Sequence, residues 1–135
     1  MFLVLKSHNI VNGRIFFNMP QHIFDDKPEL EFRITHLYIT FKKDIYKIST
    51  DNYLLCLQSN LIDRSPFNPH QDLIFFNVSD LSTHAEYTPT YILRYKLRLR
   101  DLNDAEFFLY SNAQQLVERI DFVSLQLEIV PYGWI

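Results

Sequence analysis

Between Tyr91 and Val130 hydrophobic residues recur at every second position along three successive segments. The first, Tyr91-Ile92-Leu93-Arg94-Tyr95-Lys96-Leu97-Arg98-Leu99-Arg100, alternates apolar and basic residues over its whole length. A period of two is that of an extended strand with one greasy and one charged face. A polar break at Asp101-Leu102-Asn103-Asp104 leads into Ala105 to Tyr110, and after Ser111-Asn112 and a short polar stretch Ile120 to Val130 alternates again. The three segments predict antiparallel β architecture, with the first two read as a hairpin. They display no reaction chemistry, so any statement about function must come from exclusion and resemblance.

Similar signals run through the rest of the chain. Phe2 to Leu5 and Arg14 to Asn18 read as strands on either side of a polar turn at Asn12-Gly13, and Pro20 ends the second. Gln21 to Pro28 reads as a loop with a possible helical turn. Glu29 to Phe41 is a long strand whose apolar phase changes at Thr35-His36, from Leu30, Phe32 and Ile34 to Leu37, Ile39 and Phe41. Such a one-residue shift predicts a β-bulge or a bend between sheets. Lys42-Lys43-Asp44 is a charged turn, followed by strands at Ile45 to Ser49 and Asn52 to Ser59, the latter apolar nearly throughout as a central strand should be. Asp63 to His70, with two prolines among turn formers, is a loop. Asp72 to Val78 returns as a strand, Ser79 to Pro89 reads as a long connection, and Ala113 to Val117 fits either a helical turn or a loop.

A length of 135 residues fits one domain, residues 1–135, and a chain of this size buries roughly two thirds of its unfolded surface. Eight or nine strands with almost no amphipathic helix predict an all-β fold: an antiparallel two-sheet β-sandwich, specifically a single eight-strand jelly roll, which tolerates long loops between uneven strands. An immunoglobulin-like sandwich is the alternative, disfavoured because a Cys-Trp-Cys signature is absent.

Composition excludes several functions. With a formal net charge of −3 and no terminal run of Lys and Arg, the chain has no general attraction to nucleic acid, and direct genome packaging is not expected. No segment approaches the ~20 apolar residues of a membrane span, and the N-terminal apolar run is too short for a signal-peptide core. Synthesis in the cytosol is the corresponding expectation. Asn77-Val78-Ser79 is a glycosylation sequon that has no meaning without secretion. The single cysteine, Cys56, lies in the run Tyr53 to Leu57 and reads as a small buried hydrophobe.

Candidate chemistry is sparse. A nucleophile elbow, a phosphate-binding glycine loop and a zinc-type Cys or His pair are all missing, so no catalytic residue, metal ligand or cofactor is assigned. His70 with Asp72 and His84 with Glu86 would form a metal site only if their two loops met; the plainer reading is four hydrated surface side chains. Asp25-Asp26 and the pair Asp101 and Asp104 read as turn residues. Arg94, Lys96, Arg98 and Arg100 project from one strand face and would meet solvent, an acidic partner or a neighbouring subunit, with Glu106, Glu118 and Glu128 as cross-strand partners. Single-stranded nucleic acid would need aromatics on that same face, whereas Tyr91 and Tyr95 fall on the opposite one. The end of the sequence, Pro131-Tyr132-Gly133-Trp134-Ile135, is unusually apolar, and these groups must be buried under their own sandwich or against a second subunit.

Three segments together carry a resemblance: Phe2 to Ile10, Tyr53 to Ile62, and Leu97 to Val130. In their hydrophobic pattern they resemble small single jelly-roll virion proteins of Polinton-type and related DNA viruses, although the glycine common in the acidic turn is replaced here by Asp101-Leu102-Asn103-Asp104. The resemblance implies a non-enzymatic viral structural protein located in the virion: a minor capsid, vertex or spike subunit that assembles as a symmetric homo-oligomer, such as a trimer or pentamer, and contacts other capsid proteins. On that reading Tyr132, Trp134, Ile135 and the basic residues Arg94, Lys96, Arg98 and Arg100 are interface candidates. The alternative is a ligand-binding β-sandwich, a carbohydrate- or receptor-binding module, using Tyr87, Tyr91, Tyr132 and Trp134.

Overall fold

Residues 2–17, 29–42, 51–79, 83–90, 93–97 and 105–131 are described by the computed structural model. They form β1 (Phe2–Ser7), β2 (Ile10–Val11), β3 (Arg14–Phe16), β4 (Leu30–Phe41), β5 (Asn52–Ser59), β6 (Asp72–Ser79), β7 (His84–Tyr87), β8 (Tyr95–Lys96), β9 (Glu106–Tyr110), α1 (Gln114–Glu118) and β10 (Ile120–Pro131). Every strand pairing is antiparallel, in two sheets: β1-β10-β4-β7 with β8 also on β4, and β2-β3-β9-β5-β6. The fold is an all-β sandwich. Strands β7 and β8 lie against opposite ends of β4 and act as one interrupted strand, and β2 and β3 are the two arms of one tight hairpin. Counted that way, eight units run 1-8-3-6 in one sheet and 2-7-4-5 in the other, the strand order of a jelly roll.

Two local devices read from the sequence shape the sheets. Asn12 and Gly13 both have positive φ, 50° and 80°, which suits the two-residue turn that joins right-twisted antiparallel strands. In β4 the register against β10 slips between Gln126 and Leu127, leaving Thr35 as the extra residue of a bulge. Its Oγ donates to the Gln126 carbonyl at 3.3 Å. The bulge resets the side-chain phase, so Leu30, Phe32 and Ile34 and then Leu37, Ile39 and Phe41 all point into the same core. Without it, one of the two triplets would face outward and forfeit roughly 1.5–3 kcal/mol for each side chain left in water.

The core is built from both inner faces. Phe32, Leu37, Ile39, Leu125 and Leu127 of the first sheet meet Ile15, Leu55, Leu57, Phe107 and Leu109 of the second, and Leu116 and Val117 of α1 close one end. The segment Ala113 to Val117 therefore resolves as a helix of five residues.

The sequence reading fails on pairing. The expected hairpin between Tyr91–Arg100 and Ala105–Tyr110 does not form: β8 lies in the first sheet and β9 in the second. Strand β8 is drawn to β4 because the two alternations are complementary. Lys96 pairs with Glu29 at 3.1 Å and Arg94 with Glu31 at 3.4 Å, while Tyr95 lies against Phe32 with ring centroids 5.4 Å apart. Glu106 is on the other sheet, and Glu128 faces Arg33 at 3.6 Å. Part of the expected connection Ser79 to Pro89 is also a strand, β7, added to the outer edge of β4. The predicted loop Gln21 to Pro28, the strand Ile45 to Ser49 and the turn Asp101 to Asp104 lie outside the described residues.

Candidate binding face

The two outer surfaces of the sandwich differ in kind. On the first sheet the outward positions of β10 and β4 are mostly polar, and cross-strand neighbours are Glu128 with Arg33, Gln126 with His36 and Ser124 with Tyr38. Opposite charges and amides in register suit this face, whose side chains at these positions are half-buried or buried, and among the described residues its exposed large apolar side chains are Phe2 and Val4 on the β1 edge and Leu93 just before β8. On the second sheet Leu55 and Leu57 point inward, so Leu54, Cys56 and Gln58 point outward. One cross-strand row is Phe75–Cys56–Tyr110, and the next is Asp72–Gln58–Phe108–Arg14–Val11. Leu54, Phe75 and Tyr110 are 52%, 53% and 48% exposed. This face presents a strip of apolar and aromatic groups where a solvated sheet would carry charge.

Cys56 sits under that strip. Its thiol donates to Asp72 Oδ1 at 3.2 Å, and Gln58 Nε2 donates to the same oxygen at 2.8 Å. Burial first, then the hydrogen bond and charge of Asp72, push the thiol up to about 12. A thiol so protonated is a poor nucleophile. Alkylation of the native protein at neutral pH is expected to be at least about a hundredfold slower than after unfolding, a ratio that iodoacetamide labelling followed by mass spectrometry measures.

Tyr95 behaves in the same direction. Its hydroxyl donates to the Leu73 carbonyl across the sandwich, and burial, then Tyr87 and Cys56, raise it to about 12. Both groups are raised above their ordinary values of 9.0 and 10.0. The stability they contribute is therefore complete below pH 9.0 and lost as the pH climbs toward about 12.

Beside the aromatic strip the chain from Asn60 to Gln71 is a braced loop. Ser65 and Asn68 pair across a turn with Pro66 and Phe67 at its tip. Asn68 Oδ1 accepts from the Asp72 amide at 2.9 Å, and its Nδ2 donates to the Asp72 carbonyl at 2.9 Å. Gln71, with φ 59°, sends its buried side-chain amide to the Ile62 carbonyl at 2.6 Å. Phe67 stands 99% exposed on this frame. Between the loop and the sheet lies a groove of about 440 Å³ lined by Arg14, Gln58, Asn60, Arg64, Glu106 and Phe108.

The residues singled out from the sequence are dispersed. Arg94 and Lys96 lie at the first sheet, in ion pairs with Glu31 of β4 and with Glu29 just before it. Tyr87 shares the inward parity of Ala85 and packs half-buried against Phe76, with centroids 5.7 Å apart. Tyr91, Arg98, Arg100, Tyr132, Trp134 and Ile135 lie outside the described residues, as do Asp25, Asp26, Asp101 and Asp104. His70 borders the groove of the second sheet, while His84 stacks on Tyr38 of the first with centroids 6.0 Å apart. Among the described residues no three His, Cys, Asp or Glu side chains are grouped to hold a metal ion, and no helix is long and apolar enough to cross a membrane.

Sequence reasoning passed over Leu54, Phe75, Tyr110 and Phe67. A signal for the first two is present, since Asn52 to Ser59 and Asp72 to Val78 carry apolar residues on both faces, a pattern that in Asn52 to Ser59 reads as a central strand. No protein-family model matches the chain, and no characterised protein or solved structure matches it.

Proposed function

We propose that the protein is a non-enzymatic structural subunit of a virion, at a minor capsid, vertex or spike position, that assembles with copies of itself and contacts other capsid proteins. Its jelly-roll strand order is one that viral capsid domains use. The observation that carries the reading is Phe67, wholly exposed on a loop that backbone and side-chain hydrogen bonds hold rigid. A rigid aromatic knob loses little entropy on docking, and its burial contributes roughly 1.5–3 kcal/mol. The strip Leu54, Phe75 and Tyr110 is a flat apolar patch on the sheet. Knob and patch are different surfaces, so a contact between them is head-to-tail, the kind that closes into a ring.

Sedimentation velocity tests the assembly. Concentration-dependent association at micromolar protein is expected, and Phe67→Ser should weaken it by about tenfold or more while leaving the unfolding free energy within about 0.5 kcal/mol. A wild-type chain that stays monomeric at these concentrations would sink the assembly reading. The virion assignment requires the chain at fixed stoichiometry in purified particles, which quantitative mass spectrometry reads.

A further inference from the structure

We infer that the groove between the braced loop and the outer face of the second sheet binds a carboxylated sugar ring. Its volume of about 440 Å³ is in the range of small-molecule sites. The groove runs over β3, β9 and β5, and β9 is hydrogen-bonded on both sides, so no free strand edge is offered there to an extended peptide. Recognition at this place rests on side chains.

Those side chains are of three kinds. Arg14 and Arg64 enter no ion pair with the described residues and line the same groove, and a guanidinium fork matches a carboxylate in shape and charge. Phe108, half-exposed between Gln58 and Arg14, offers a ring face on which a sugar's C–H groups can stack. Glu106 is exposed in the same groove. Its negative charge disfavours a bare phosphate or sulfate, but it accepts hydrogen bonds from hydroxyl groups. A ligand with one carboxylate and several hydroxyls satisfies both signs of charge at once.

The site is also built before any ligand arrives. Ser59 Oγ donates to the Glu106 carbonyl at 2.8 Å, and the Glu106 amide donates to Asn60 Oδ1 at 2.9 Å. Gln58 is anchored by Asp72 at 2.8 Å. Gln71, a non-glycine residue in the left-handed region, forms part of the wall and is fixed by its own buried hydrogen bond. Strained backbone of this kind persists only where its surroundings over-determine it, and ligand clamps are a common setting. Pre-ordering reduces the entropy lost on binding.

Ligand-observed NMR on the full chain, with glucuronate, N-acetylneuraminate, glucose and inorganic phosphate as probes, tests this. At least one of the two acids should bind in the millimolar range or tighter and at least about tenfold more tightly than glucose or phosphate. Arg64→Gln and Arg14→Gln should each weaken that binding by about tenfold without shifting the unfolding transition. Amide shift changes in the wild-type chain, which require no variant, should centre on Gln58 to Asn60, Arg64 and Glu106 to Phe108. Absence of binding at about 10 mM, equal binding of phosphate, or shifts centred elsewhere would each overturn the inference.

Discussion

Gly13→Ala is expected to destabilise the protein by about 3 kcal/mol or more, read as a lower denaturation midpoint in urea. A Cβ built on Gly13 would stand 2.2 Å from the Leu109 carbonyl oxygen and 3.0 Å from a Val117 methyl, at a backbone φ of +80°. The conformation alone costs an alanine roughly 1–2 kcal/mol. The clash adds to this because its partner is backbone, which cannot rotate away. Relief requires the β2–β3 hairpin to lift from β9, which breaks the 2.8 Å bond from the Leu109 amide to the Gly13 carbonyl. Asn12→Gly is the matched control: it keeps a residue that tolerates positive φ in the same turn, and little loss is expected. A loss below about 1 kcal/mol for Gly13→Ala would mean that the hairpin is not seated on β9 as described.

Phe107→Ala should remove about 3–5 kcal/mol, a large share of the stability of a domain this size. The side chain is 0% exposed, points inward from β9 between Ile15 and Ser59, and meets the edge of Phe17 with centroids 5.5 Å apart. Its neighbours come from the two flanking strands and from Phe17 just after β3, and cannot collapse together into the space it leaves, so a cavity adds to the lost transfer energy. Equilibrium unfolding in urea should show a lower midpoint with an unchanged slope. Phe67→Ser is the internal comparison, the same residue type at 99% exposure with no expected change in stability. If both variants lost similar stability, the distinction between core and docking phenylalanines would fail.

Much of the architecture was legible because its causes are local. The slip of apolar phase at Thr35-His36 predicted the bulge that β4 has, since a side-chain period of two makes a one-residue insertion visible in the sequence. Asn12-Gly13 predicted its turn, because few other residues adopt positive φ at low cost. Cys56 read correctly as buried, although nothing local indicated that Asp72 would hold its thiol.

The pairing of Tyr91–Arg100 was not legible. Proximity in sequence favoured a hairpin with Ala105–Tyr110, but the jelly roll carries the chain from β8 to the opposite sheet before β9. The candidate site was less legible still. Arg14, Gln58, Arg64 and Phe108 lie on four separate segments, and no spacing rule connects them. Nor does the pattern tell Phe107 from Phe108: the sequence shows two adjacent rings, and strand parity sends one into the core and the other to the groove.

By itself, then, the sequence determined the β class, most strand spans, the turn and bulge positions and which side chains alternate, because backbone sterics and side-chain period act over a few residues. Only the tertiary structure decided which strands are neighbours, which of two apolar faces is covered, and that a polar groove adjoins an exposed aromatic strip. Those outcomes depend on contacts between residues far apart in the chain. Period two records that a strand has two sides but carries no information about what lies against either.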